Sequence, residues 1–295
     1  MPSEPLPQDN PQIRLVPAAR FSLQALTDAY NQGRVDYLIP MSMNAARLAA
    51  YIRMYDVDLE RSWVAVDGGE VLGLAMLGLR PGRTWVTRLG VSPAHRKHGV
   101  GELLVRALLK STQEAGRPLS ILEVIRENQK AHALFRKLGF VETRELLVLR
   151  RPAGLDAPEA VGQAGWLGAE DALDLLCAHP DRPAWTNEIE TYLNTGDAQA
   201  LVVNLPGAGG SPQARGWMVF RHHNAQLSHI MMHTESGSPD AVCRALIGQF
   251  FSRHPQASGY VENVPSGDPH ASELMRLGFA DAFRRIEMHA EITSS

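Results

Sequence analysis

The segment HALFRKLGFVE, residues 132–142, returns as ASELMRLGFAD at residues 271–281, so that Gly139 and Gly278 stand 139 positions apart. A repeat with the length of a domain constrains the fold strongly, because each copy must bury its own apolar faces. With 295 residues and 44% hydrophobic content, the chain can build two such cores. The stretch RRPAGLDAPEAVGQAG, residues 150–165, is rich in Pro, Gly and Ala and has weak periodicity, which marks a connector. The expected organisation is a polar, proline-rich tail over residues 1–12, a first domain over 13–152, a linker over 153–165 and a second domain over 166–295.

The net charge of −3 supplies no basic field for nucleic acid or an anionic membrane, and no stretch approaches the roughly 18 consecutive apolar residues of a membrane span. The two cysteines, Cys177 and Cys243, are far apart and lack a metal-ligand spacing, which suits a reducing, cytoplasmic setting and buried thiols. His222, His223, His229 and His233 likewise form no short ligand motif, so no metal is expected.

In the first half, apolar periodicity predicts a strand at 13–16, helices over 21–30 and 44–55, and a hairpin of SWVAV and VLGLAMLGL about the turn DGGE. TWVTRLGV is a further strand, which runs into VSPAHRKHGVGELLVRAL, residues 91–108. After it come the strand LSILEVI, the helix NQKAHALFRKL capped by Asn128, and the strand FVETRELLVL. This order gives an α/β fold with a mixed sheet and helices on both faces. The turn at 96–101 delivers Arg96, Lys97, Gly99 and Gly101 to a helix start. There unpaired backbone N–H groups and the positive end of the helix dipole suit an anion, and glycine lets a bulky diphosphate come close. The turn is neither a dinucleotide fingerprint, since Leu104 stands at the third glycine position, nor a Walker loop.

RKHGVG, residues 96–101, resembles the RxxGxG/A acyl-CoA loop of the GNAT N-acetyltransferases, and LEVIRENQKAHALFRKLGF, residues 122–140, resembles the strand and helix that follow it. The resemblance implies acetyl-CoA as co-substrate and two tandem GNAT-like domains, the first intact. It implies that Leu89 and Val91 contact the pantetheine arm through their backbones. It also implies that Arg96, Lys97, Gly99, Val100 and Gly101 hold the pyrophosphate and that Asn128 touches the cofactor near its thiol end. It further implies direct attack by an amine, which must first lose a proton because an ammonium with a pKa near ~10.4 is not nucleophilic. Glu123 occupies the position of the glutamate base in ribosomal-protein acetyltransferases of this family, while a plain strand carboxylate is the alternative.

Phe135 departs from the pattern, standing where the family commonly has a tyrosine that protonates the thiolate, so Tyr37, Tyr51 or Tyr55 would have to serve or the thiolate leave unaided. YDVDLERSW offers Asp56, Asp58 and Glu60 near the expected acceptor groove, as either amine ligands or a solvated acidic loop. In the second half, HTESGSPD puts Glu235 and Asp240, or in a slipped register Thr234 and Pro239, where Arg96 and Gly101 stood, and neither set suits a diphosphate. The expectation is a small-molecule or peptide amine acceptor, a degenerate second copy that buttresses the first or shapes its acceptor site, and sheet edges compatible with a homodimer. A non-catalytic acyl-CoA sensor or interaction module is the rival.

Overall fold

The computed structural model describes residues 13–206 and 212–293; the tail read over 1–12 lies outside them. Two compact units divide the chain. The first comprises residues through Leu122, with Ala133–Val141 and the segment from His289 onward; the second comprises Glu123–His132 and Glu142–Met288.

In the first unit the strands β1 (Arg14–Pro17), β2 (Trp63–Asp67), β3 (Glu70–Arg80), β4 (Arg83–Val91) and β5 (Leu119–Ile125) follow one another in sheet order. The first four residues of β5 fall in this unit and the last three in the other. The helices α1 (Leu23–Gln32) and α2 (Ala45–Met54) begin at Ser22 and Asn44, whose side chains accept from the N–H of Ala25 and Arg47. α3 (Val100–Glu114) has an amphipathic pattern that buries Leu104, Val105 and Leu108. Its polar residues under the sheet are satisfied: Trp63 Nε1 donates to Ser111 Oγ at 2.9 Å, and the hydroxyls of Thr84 and Thr112 lie 2.8 Å apart. α4 (Gln129–Lys137) is divided between the units after His132.

In the second unit β6 (Val141–Arg151), from Glu142 on, pairs with β11 (Ser258–Pro265), which follows β10 (Gln226–Ser236), β9 (Pro212–His223), β8 (Ala198–Pro206) and β7 (Gln163–Leu167) in sheet order. β12 (Ala280–Glu291) lies next to β6 on its other side. The helices are α5 (Ala169–Cys177), α6 (Ile189–Thr195), α7 (Pro239–Arg253) and α8 (Ala271–Arg276). Phe220, Leu246, Phe250, Phe251, Val261 and Phe279 form the centre of a fully buried core.

Three expectations change. β7 begins at Gln163, inside the stretch read as linker. The strand that follows α4 is counted with the second unit through its ladder with β11, from Gly259↔Arg151 to Pro265↔Leu146, so the compact units do not follow a single cut near residue 153. Cys243 is buried, but Cys177 is exposed at the end of α5, where the helical pattern turns it outward. β8 and β9 are antiparallel partners, laddered from Ala198↔Arg221 to Pro206↔Pro212, and residues 207–211 lie outside the described set.

Candidate functional site

β4 and β5 run parallel and are paired only from Arg83↔Leu119 to Val86↔Leu122. Beyond Val86, β4 remains laddered to β3 as far as Gly73↔Val91, with a register shift between Leu74 and Met76. Arg88 lies at that shift with φ 53, a bulge that bends the strand and re-aims its side chains. Thr87–Val91 therefore carries main-chain groups on one edge that no β5 ladder uses, and Leu89 and Val91 both lie in this stretch.

The chain then turns through a short 3₁₀ segment, Pro93–His95, held by Ser92 Oγ and His95 Nδ1 at 2.7 Å. Lys97, with φ 68, is exposed, and Gly99 takes φ 81 as the residue before α3, with no side chain capping the helix. A Cβ at Gly99 would meet open space, so its requirement for glycine is conformational. Gly101 differs: a Cβ there would sit in ordinary contact, 3.5 Å from Leu134 and 3.7 Å from Val91. Val100 is buried and anchors the first turn.

Arg96, though partly exposed, is engaged by its own chain. Its guanidinium donates to both oxygens of Asp36 at 2.7 Å, to Val91 O at 3.0 Å and to Gly33 O at 3.2 Å. It ties the segment after α1 to the end of β4 and fixes the turn from beneath.

Sequence reasoning missed a second feature of this unit. Tyr30 on α1, Tyr51 on α2, and Arg34 and Tyr37 after α1 gather about Arg88. The Arg88 guanidinium lies 3.8 Å from the Tyr51 ring centroid and donates to Tyr30 Oη at 3.1 Å, while Arg34 lies 4.2 Å from the Tyr37 centroid and 4.9 Å from that of Tyr30. Tyr51 Oη and Thr87 Oγ1 are 2.6 Å apart, and Tyr55 and Trp85 continue the aromatic stack. Of the acidic segment, Asp56 pairs with Arg80 at 2.7 Å and Asp58 with Arg61 at 2.6 Å, while Glu60 is exposed. Asp56 and Asp58 thus brace the loop before β2. Phe135 is buried edge-on against Phe140.

In the second unit, Asn128 caps α4 by accepting from Ala131 N–H at 3.2 Å. Glu123 is half-buried on β5, and its charge reaches Arg285. Burial disfavours the Arg285 cation, but Glu262 and Glu123 more than offset this and raise its pKa. Arg285 donates to Asn263 Oδ1 at 2.8 Å and to Glu262 Oε1 at 3.2 Å, and Tyr260 also donates to Glu262. Glu262 stands 139 positions beyond Glu123, so the repeat places a carboxylate at the same point of both parallel strands.

The second unit repeats the splayed strands: β10 and β11 pair in parallel only from Gln226↔Ser258 to Ser228↔Tyr260, and His229, with φ 51, marks the bulge. Its turn is different. Only Gly237 and Ser238 separate β10 from α7, the Ser238 hydroxyl accepts from Ala241 N–H, and Pro239 opens the helix. Glu235 is paired with Arg215 and Asp240 with Arg276. The four histidines go to different neighbours: His222 stacks on His254, His223 pairs across the strands with Gln226, His233 stacks on Trp217 and His179, and His229 lies at the bulge.

Residues 26–140 match the acetyltransferase (GNAT) family profile. This part of the chain belongs to the GNAT family. A mycothiol acetyltransferase of Rhodococcus jostii (strain RHA1) is 31% identical over 142 residues, 43% of this chain and 45% of that protein. One from Streptomyces coelicolor (strain ATCC BAA-471 / A3(2) / M145) is 40% identical over 98 residues, 32% of this chain and 30% of that protein. The chain thus spans less than half the length of the curated relatives it matches. Among solved structures, a tandem GNAT protein from the clavulanic acid biosynthesis pathway superposes with a TM-score of 0.67 at 16% identity, covering 96% of this chain and all of that one. A GCN5-related N-acetyltransferase from Sphaerobacter thermophilus gives 0.64 at 16% identity, covering 95% and 96%. At that identity the likeness is one of fold: over nearly its whole length the chain has the tandem GNAT architecture.

Proposed function

We propose that the chain is an N-acetyltransferase that moves the acetyl group of acetyl-CoA to the amine of a small-molecule or peptide acceptor. The observation that carries this reading is the end of the parallel ladder at Val86↔Leu122, which leaves the edge of Thr87–Val91 to a ligand. An extended pantetheine arm hydrogen-bonds there through the main chain of Leu89 and Val91, as an added strand would. The diphosphate rests on backbone N–H groups of Lys97, Gly99, Val100 and Gly101 at the positive end of α3, with Lys97 adding charge and Arg96 holding the turn in shape. Bound in this way, acetyl-CoA supplies an electrophilic thioester carbonyl. Glu123 takes the ammonium proton through water, and Asn128 presents its side chain near the thiol end while capping α4. Phe135 has no proton to give, so the thiolate leaves unaided or is protonated by Tyr37, Tyr51 or Tyr55.

In the second domain only Gly237 and Ser238 precede Pro239, and Glu235 and Asp240 face cations of their own, which supports a structural or acceptor-shaping role. No described helix is long and apolar enough to cross a membrane, and the net charge of −3 offers no basic field for nucleic acid. The reading places the protein in the cytoplasm, with sheet edges compatible with a homodimer. The names of the curated relatives put mycothiol chemistry among the acceptors to be tried. Thioester consumption over a panel of amines tests the reading. Saturable acetyl-CoA binding with no consumption by any amine would instead favour an acyl-CoA sensor, the reading that buried Phe135 motivates.

A further inference from the structure

Within the first unit, Arg61, Arg80 and Arg96 each have a carboxylate: Asp58, Asp56 and Asp36. Arg34 and Arg88 do not. Both are half-buried, the Nε of each is buried without a hydrogen-bond partner, and among the described residues neither forms an ion pair. Their guanidinium groups share the ring of Tyr30, at 4.9 and 5.2 Å from its centroid, with Tyr37 and Tyr51 as further platforms. Stacking on π faces offsets part of the desolvation of a cation but leaves its charge in place. It also leaves the guanidinium edges, where N–H groups can grip an oxyanion, in fixed planes. Among the described residues each half-buried cation lacks a carboxylate of its own, and a bound anion would supply the missing counter-charge.

The position of the pair says which anion. Arg88 is the bulge residue of β4, one step before Leu89 on the strand whose edge the acyl donor is proposed to use. Arg34 comes from the segment after α1 that Arg96 ties to β4. We infer that Arg34 and Arg88 form an oxyanion-binding subsite for the acceptor, and that the amine acetylated by this protein also carries a carboxylate or phosphate. This rests on the acetyltransferase reading above. The tyrosines fix the arginine planes, and the two cations select an acceptor whose negative group anchors it while its amine reaches the thioester.

The test uses the full chain and matched amines: glycine and β-alanine against their carboxamides, and O-phosphoethanolamine against ethanolamine, each assayed by thioester consumption. The expected result is a preference of at least about tenfold in kcat/KM for an anionic member, the scale of one charge-assisted hydrogen bond, with the two series telling carboxylate from phosphate. Arg88→Gln and, separately, Arg34→Gln should each bring that preference to within about threefold, mainly through KM, and Arg88→Lys should retain more of it than Arg88→Gln. Acetyl-CoA titrations of the three variants check that each is folded. Equal or better use of the uncharged members by the wild type, or an unchanged preference in folded Arg34→Gln and Arg88→Gln proteins, overturns the subsite and leaves acetyl transfer standing. A thioester left intact by every amine, charged or not, overturns the transferase reading and the subsite with it.

Discussion

Asp36 grips Arg96 through two 2.7 Å hydrogen bonds, so the arginine of the RKHGVG turn is already engaged by its own chain. Both side chains are substantially exposed, and such a pair contributes at most about 1 kcal/mol. Asp36→Asn should therefore leave the melting temperature nearly unchanged and hold or improve acetyl-CoA affinity, because it removes a negative charge beside the turn. Arg96→Glu should weaken that affinity at least tenfold, by setting a carboxylate against Asp36 and against the diphosphate. Calorimetric titration of both variants decides the matter. Wild-type affinity in Arg96→Glu would mean that the diphosphate lies elsewhere.

The two glycines of the turn should respond in opposite ways. Gly99 has φ 81, and a side chain there costs roughly 1–2 kcal/mol of backbone strain. Gly99→Asp adds a charge at the anion site and should abolish measurable acetyl-CoA binding while the protein still unfolds cooperatively. Gly101 lies inside α3, where alanine is favoured by up to ~1 kcal/mol and its methyl would make ordinary contacts. Gly101→Ala should raise the melting temperature and keep the cofactor, measured by thermal melts with and without acetyl-CoA.

The contrast between the turn and the strands explains what the sequence made legible. Gly99, Arg96 and the apolar spacing of α3 are local signals, and they mark the turn and the helix start at Val100. The same spacing of 139 leads from Glu123 to Glu262 and is legible in the sequence alone. The partner of β6 is a different matter. An alternating strand fits any open edge, and nothing in residues 141–151 states that Leu147 and Leu149 belong to the core beneath β11. Nor does any residue type announce the bulge at Arg88; arginine rarely takes positive φ, and the backbone there is set by the register against β3.

That pairing of β6 carries its own prediction. A fragment beginning at residue 153 lacks the strand laddered to β11, and a fragment ending at 152 lacks the segment from His289 onward that completes the first unit. Neither 13–152 nor 153–295 should show a cooperative urea transition alone, whereas the full chain should. A sharp transition in either isolated fragment would show that the unit tolerates loss of the missing segment.

Burial pushes the pKa of His229 down to about 4, with the Arg221 cation adding to the effect. The unfolded chain binds a proton near pH 6.5 that the native protein refuses until about pH 4, so native stability is full above pH 6.5 and falls as pH drops through that window. The loss from this group is on the order of 1–3 kcal/mol. His229→Asn removes the titrating group, and asparagine tolerates the positive φ of the bulge. Urea unfolding at pH 7 and pH 4.5 should show a steeper loss for the wild type than for the variant; parallel losses would assign the acid sensitivity to other groups.

Glu123 gives the most direct reading of the chemistry. Its carboxylate acts on Arg285 within a network that includes Glu262, Tyr260 and Asn263, and a structural role would lie in that charge balance. A base would instead remove the ammonium proton, a contribution of typically ~100-fold to ~10,000-fold. Glu123→Gln keeps the shape but neither accepts a proton at neutral pH nor balances Arg285. If Glu123 is the base, kcat/KM for an identified acceptor falls within that range near pH 7, acetyl-CoA affinity stays nearly constant, and the deficit shrinks as pH rises toward the amine pKa near ~10.4, where the acceptor is increasingly neutral in solution. If the role is structural, the variant loses stability in urea and keeps most of its turnover at every pH. Because Asp56 and Asp58 are committed to Arg80 and Arg61, a structural outcome would move the search for the base to Glu60 and to water held by the backbone.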